Sequence, residues 1–290
     1  MSKILAVFGA TGQQGGSVIS YVLNDPKLSQ EYKIRAITRN VTSEKAKQPK
    51  EKVEVVYGDV LDRISLEKAL ADSHTVFAMT PPSFSPEGLE STLYQGSMRS
   101  RAASTPKSPP STPRPKLRSI FGAFQSRLKS AFFAPGSFME NFQYYAFWAP
   151  HEAMDGTWVM AQNNSTKTQL PLIDAVGDTG KFVGAILAEP NKYEGKTFCA
   201  ATALYSLEEI AAIISKVTGK PVVYKQIPLE DFKKSAPFGA DLFAEFFSYQ
   251  EEFGYYGPDS EKLVAWAAEN ARGKLSTFEE YLEAHPLQIA

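Results

Sequence analysis

The sequence predicts an α/β protein: a doubly wound parallel sheet, followed by a smaller α+β domain in the C-terminal half. Three observations carry this. Short apolar runs recur four times within the first 80 residues, each ends in a glycine, polar or proline turn, and segments of helical period separate them. The chain of 290 residues is 43% hydrophobic and 22% charged, an ordinary globular balance, and is long enough to bury a core without disulfides or metals.

The first run, Ile4-Leu5-Ala6-Val7-Phe8, reads as a buried parallel strand. It runs straight into Gly9-Ala10-Thr11-Gly12-Gln13-Gln14-Gly15-Gly16, and Val18, Ile19, Val22 and Leu23 then recur at helical spacing. Strand, glycine turn and helix form the first half of a βαβ unit. Glycines at 9, 12 and 15 let the backbone turn tightly and approach a pyrophosphate, while the helix start behind them offers free N–H groups to that anion. A tight turn also needs glycine for steric reasons alone, but here the flanking strand and helix required of a dinucleotide-binding Rossmann turn are both present. Gly9, Ala10, Thr11, Gly12, Gln13, Gln14 and Gly15 are therefore the expected cofactor-binding residues.

Lys33 to Thr38 is the second strand, ending at Thr38-Arg39-Asn40. In this fold the residue after strand two meets the adenosine ribose. A carboxylate there would favour NAD, whereas an arginine accommodates the 2′-phosphate of NADP. The chain offers Arg39 and no acid until Glu44, so NADP(H) is expected over NAD(H), although an arginine there also fits a plain solvated surface. Val53 to Tyr57 is the third strand, closed by Gly58-Asp59-Val60. Asp59 can accept from the adenine amino group while Val60 packs on the ring, or Asp59 can cap the helix around Ser65 to Ala71. Thr75 to Thr80 is the fourth strand, and Thr80 at its end faces the crevice where open α/β sheets bind ligands.

The charge is uneven. Residues 91–139 contain no Asp or Glu but eight of the 31 Lys and Arg residues, so the rest of the chain holds 23 basic against 32 acidic residues. From Gly96 to Pro115 the composition is Ser, Arg, Ala, Thr and Pro, with prolines at 106, 109, 110, 113 and 115, and no helical or strand period survives. A basic interaction tail, for nucleic acid or for phosphorylation at Ser-Pro and Thr-Pro steps, is one reading and an unstructured loop the other. With no aromatic residue between Gly96 and Phe121, direct specific nucleic-acid binding is not expected.

Downstream, Ala131 to Gly136 reads as strand and turn, and Phe138 to Phe142 begins a helix. Leu172 to Val176 leads through Gly177-Asp178-Thr179-Gly180 into an apolar helix, Lys181 to Ala188. Gly195 to Ala200 is a strand expected to return to the sheet. Ser206 caps a helix to Thr218 with Leu207, Ile210, Ala211, Ile214 and Val217 on one face. Val222 to Ile227 is a further strand, the aromatic stretch Phe232 to Tyr256 a helical cover for a cleft or part of the core, and Thr277 to Ala284 the last helix. The expected division is a dinucleotide-binding domain over 1–150, interrupted at 96–128, and a substrate or partner domain over 151–290.

Other classes are excluded by composition. One cysteine, Cys199, and three scattered histidines leave no framework for disulfides or a metal centre. No apolar run approaches a membrane span and the amino terminus lacks a signal-peptide core, so a cytoplasmic or nuclear location is expected.

These segments together resemble the NmrA-like family, an atypical branch of the short-chain dehydrogenase/reductase superfamily. The resemblance rests on GATGQQGG, Thr38-Arg39, Gly58-Asp59, FFAPGSFMENF from Phe132 to Phe142, the block from Gly177 to Phe198, and VTGKPVVYKQIP from Val217 to Pro228. It implies an NADP(H) cofactor, with Asn141 among its contacts. It also implies either a regulator that senses dinucleotide state and passes it to a transcription factor or other protein, or an NADPH-dependent reductase of a small hydrophobic carbonyl or enone. The classical Tyr-x-x-x-Lys proton relay is missing, since no tyrosine has lysine four residues on. Between Gln95 and Leu128 the family's helix, strand and lysine-bearing segment are replaced. Because a shifted reading of one coding of Pro115 to Ser126 resembles the family's helix, a reading-frame or splicing origin is expected for this stretch.

Overall fold

The structure is a computed structural model that describes residues 2–47, 53–79, 129–145, 148–235 and 240–288. The composition change over 96–128 and Thr80 lie outside the described residues. The chain divides into two compact units, one within Met1–Ala131 and Thr179–Lys196, the other Phe132–Asp178 and Thr197–Ala290.

Among the described residues, the first unit is built on four parallel strands, β1 (Lys3–Phe8), β2 (Tyr32–Thr38), β3 (Glu54–Tyr57) and β4 (Thr75–Phe77), in the order β3-β2-β1-β4. This is the doubly wound parallel arrangement expected. β1 is central: Leu5 pairs with Ile34 on one side and Thr75 on the other, and Leu5, Ala6 and Val7 are fully buried. A strand covered on both faces reads as a continuous apolar run, which is why Ile4 to Phe8 shows no alternation.

Helix α1 (Gln13–Asn24) follows β1, α2 (Leu28–Glu31) precedes β2, α3 (Glu44–Lys47) follows it, and α4 (Arg63–Ala69) links β3 to β4. The unit is completed by α6 (Thr179–Ala188), which packs on α1. Contact between these helices is close because two glycines face Tyr21: a β-carbon on Gly180 would stand 2.4 Å from Tyr21 Cβ, and one on Gly184 2.2 Å from Tyr21 Cε1. Ser17 Oγ accepts from the Gly180 N–H at 2.9 Å.

Among its described residues the second unit holds three small ladders. β5 (Phe132–Pro135) pairs in parallel with β10 (Thr197–Ala200). β9 (Gln169–Ile173) lies between β6 (Ser137–Phe138), parallel, and β11 (Ala203–Ser206), antiparallel. β8 (Trp158–Gln162) lies between β12 (Val222–Gln226), parallel, and β7 (His151–Glu152), antiparallel. Its helices are α5 (Asn141–Tyr144), α7 (Leu207–Thr218), α8 (Leu229–Ser235), α9 (Ala240–Phe253), α10 (Ser260–Glu269) and α11 (Phe278–Ala284). α7 starts on the expected cap, a full capping box of Ser206 and Glu209, and stops at Gly219, whose φ of +69° suits glycine.

The aromatic stretch expected over 232–256 resolves into parts of α8 and α9. Phe232 and Phe247 are buried against each other at 5.4 Å between centroids and join Trp148, Phe142 and Phe278 in one core, so these rings are packing residues. The run from Leu172 to Val176 is strand only as far as Ile173, because the Asp174 carboxylate takes the N–H groups of Val176 and Gly177 and turns the chain.

Candidate functional site

The turn between β1 and α1 is shaped by three glycines with three different roles. Gly9 has φ of +62°, a left-handed conformation that side chains strain to adopt, and its carbonyl accepts from the Gly12 N–H at 2.8 Å. Gly12 stands at the start of α1, exposed, with extended backbone (φ −94°) and no side chain capping the helix. Gly15 is buried beneath them: a β-carbon there would sit 2.3 Å from the Gly9 carbonyl oxygen and 2.8 Å from that of Phe8. The third glycine thus brings helix and strand together, while the first two leave an open backbone surface. First-turn N–H groups of a helix without a side-chain cap are free to meet an anion.

Around this turn, Ala10, Thr11 and Gln13 are half-buried, and Gln14 is buried on the inner side of α1. Met79, just past β4, approaches Gly9 so closely that a β-carbon there would meet its sulfur at 3.0 Å. Sequence reasoning missed Met79, since nothing in its spacing distinguishes it from a core methionine.

Arg39 follows β2, is exposed, and stands beside a loop braced from within. Asn40 Oδ1 accepts from Thr42 N at 3.1 Å and Thr42 Oγ1 at 2.9 Å, and Ser43 Oγ donates to Asn40 O at 3.1 Å. No hydrogen bond or ion pair among the described residues ties down the Arg39 guanidinium.

Asp59 follows β3, and its Oδ1 accepts from Leu61 N at 2.9 Å. The alternative that Asp59 caps the next helix is corrected. Asp62 is the N-cap of α4, accepting from Ile64 N and Ser65 N, because the helix begins at Arg63 rather than near Ser65. Val60 packs half-buried against the cluster of Ala6, Phe8, Ile37, Leu66 and Ala69. The first unit therefore brings Gly9 to Gly15, Arg39, Asp59 and Val60 together at the carboxyl ends of β1, β2 and β3, the edge where open α/β sheets bind ligands.

Asn141 belongs to the second unit. It opens α5, and its Nδ2 donates to Ser137 Oγ at 3.4 Å. Its neighbour Glu140 is buried, its carboxylate accepting from Ala175 N at 3.2 Å and Val176 N at 3.0 Å, and burial pushes its pKa above the ordinary carboxylate value. Among the described residues no cluster of His, Cys, Asp and Glu could hold a metal, and no helix is long and apolar enough to cross a membrane. Cys199 is buried.

Comparison with known proteins bears on the whole chain. The sequence model of the NmrA-like family matches residues 1–103 and 123–282, so the unmatched stretch, 104–122, is narrower than the departure read from Gln95 to Leu128. An NmrA-like family domain-containing protein of Dictyostelium discoideum is 26% identical over 320 residues, covering 98% of both chains. The NmrA-like family domain-containing oxidoreductase cpsB of Aspergillus campestris is 25% identical over 256 residues, covering 76% of this chain and 74% of its own. Among solved structures, NmrA, a negative transcriptional regulator, in complex with NADP has a TM-score of 0.70 at 18% identity, covering 98% of this chain and 95% of its own.

Proposed function

The chain belongs to the NmrA-like family, and on that premise we propose that it binds NADP(H) at the β1–α1 turn and acts as a redox-sensing regulator with little or no turnover. One observation carries the dinucleotide: the exposed Gly9–Gly12 backbone in front of an α1 start that no side chain caps, with Gly15 packed beneath it. Side chains at 9 or 12 would cover that surface, so these residues fit a pyrophosphate. Arg39 would meet the 2′-phosphate, its guanidinium standing on a loop already ordered by Asn40. Asp59, Val60, Thr80 and Asn141 complete the proposed cofactor contacts.

When bound, the nicotinamide group supplies hydride chemistry; the protein's part is to hold and orient the dinucleotide. The regulatory reading is supported by the missing Tyr-x-x-x-Lys relay and by the likeness in fold to NmrA, itself a negative transcriptional regulator. The partner would be a transcription factor or other regulatory protein, met through residues 151–290, in the cytoplasm or nucleus. A second reading, an NADPH-dependent reductase of a small hydrophobic carbonyl or enone, is favoured by the relative named as an oxidoreductase. The two separate in one experiment: NADPH absorbance followed with a panel of carbonyls and enones, beside a binding titration. Binding without absorbance loss supports the regulator; rapid loss supports the reductase.

A further inference from the structure

Helices α8 and α9 of the second unit border a cleft of about 290 Å³, at the lower end of small-molecule pockets. Leu229 of α8 and Tyr249 and Phe253 of α9 give it apolar walls, and Lys233, Glu245 and Glu252 its charges. The core does not consume these apolar groups. α9 buries Ala244 and Phe247, whereas Phe253 is 47% exposed, Leu229 39%, and Tyr249 is half-buried. Tyr249 and Phe253, one helical turn apart, stand 4.9 Å between ring centroids, tilted by 37°. The cleft thus offers a pair of adjoining aromatic faces to whatever enters it.

Its charges are unbalanced. Lys233 is already answered, its Nζ 2.9 Å from Asp241 Oδ1 and 3.7 Å from Glu230 Oε1. Glu245 and Glu252 are exposed, and neither forms a hydrogen bond or ion pair with another described residue. α9 carries no lysine or arginine to meet them. Glu252 also stands in the last turn of α9, where the helix dipole disfavours a negative charge and favours a cation. Two helical turns separate the two glutamates, so one side of α9 presents negative groups about 10.5 Å apart along its axis, with Tyr249 between them.

We propose that this cleft binds a linear organic diamine or polyamine, a methylene chain with an ammonium group towards each end. One ammonium meets Glu245 and the other Glu252, while the stem lies on Leu229 and against the rings of Tyr249 and Phe253. Aromatic faces attract a cation and also pack well against the methylenes that carry it. The spacing sets the class of ligand. A monoamine leaves one carboxylate unmet, a short diamine cannot reach both, and a neutral or anionic chain gains nothing from either. The proposal stands independently of dinucleotide binding, because every residue in it lies in the second unit.

The test is calorimetric titration of the full chain, without dinucleotide, with octamethylenediamine, n-octylamine and trimethylenediamine. The first spans a distance close to that between the two glutamates. The second has the same stem and one ammonium, and the third has both ammonium groups on too short a stem. Octamethylenediamine is expected to bind at least about threefold tighter than either of the others, an advantage that added salt reduces. Glu245→Gln and Glu252→Gln alter exposed side chains without described partners, so both are expected to keep the fold and to abolish the advantage over n-octylamine. Phe253→Ala is expected to weaken both long-chain amines. No binding of octamethylenediamine, equal affinity for the monoamine or the short diamine, or an advantage retained in Glu252→Gln would each overturn the proposal. If a variant does not fold, the order of the three amines on the wild-type protein decides alone.

Discussion

Gly15 and Gly9 sit so close that a β-carbon on the first would lie 2.3 Å from the carbonyl oxygen of the second, whereas one on Gly12 would lie 3.3 Å from that same oxygen. The two contacts separate folding from binding. Gly15→Ala drives a side chain into backbone that cannot yield, and is expected to cost about 1–3 kcal/mol in urea unfolding. Gly12→Val has extended backbone that valine tolerates and is expected to keep nearly wild-type stability while losing dinucleotide binding by calorimetry. Equal loss of stability in both variants would contradict this division.

The packing of α1 on α6 gives a second prediction. Gly184→Ala places a methyl against the Tyr21 ring, where a β-carbon would stand 2.2 Å from Cε1. The expected cost is about 1–3 kcal/mol. Tyr21→Ala removes the obstruction, so the double variant should be more stable than the sum of the single costs implies, read from a double-mutant cycle. Strict additivity would show that the ring moves freely aside.

Turnover is expected to be absent or very slow. General acid–base help contributes about 10²–10⁴-fold, and no tyrosine here has the lysine partner that lowers its pKa. Rapid NADPH oxidation with a simple carbonyl, followed by absorbance, would overturn the regulatory reading.

Two carboxylates are expected to titrate in opposite directions, checked residue by residue by carboxyl NMR. Burial raises Glu140 above 4.5, so its contribution to stability is fully present below that pH and is lost as pH rises through its folded pKa. Glu280, bonded by Lys274 and by Thr277 in the capping box of α11, is lowered to about 2. Its contribution is present above 4.5 and is lost as pH falls from there to about 2. A Glu140 that titrates below Glu280 would contradict the structure.

Much of the first unit was legible because its signals are local. The run Ile4 to Phe8, the glycines behind it and the apolar period of α1 all lie within 25 residues, and backbone sterics alone give them meaning. What escaped depends on partners distant in sequence. Gly180 reads as part of a turn and Gly184 as one position of an apolar helix, and only Tyr21 placed against them shows why both are glycine. Asp59 and Asp62 are equally good caps by composition, and only the start of α4 at Arg63 chooses between them. Helix α10 went unread because its buried positions, Val264 and Ala267, are too few to set a period.

The central claim, an NADP(H) site on the β1–α1 turn with Arg39 reading the 2′-phosphate, is tested most directly by calorimetric titration of NADP⁺ and NAD⁺ against the wild-type protein and Arg39→Ala. A charge-assisted contact to phosphate implies NADP⁺ binding at least about tenfold tighter than NAD⁺ in the wild-type protein. Since Arg39 is exposed and engages no described residue, its removal should leave the fold intact and bring the two affinities together. Equal affinities in the wild-type protein, or no binding of either dinucleotide, would contradict the account.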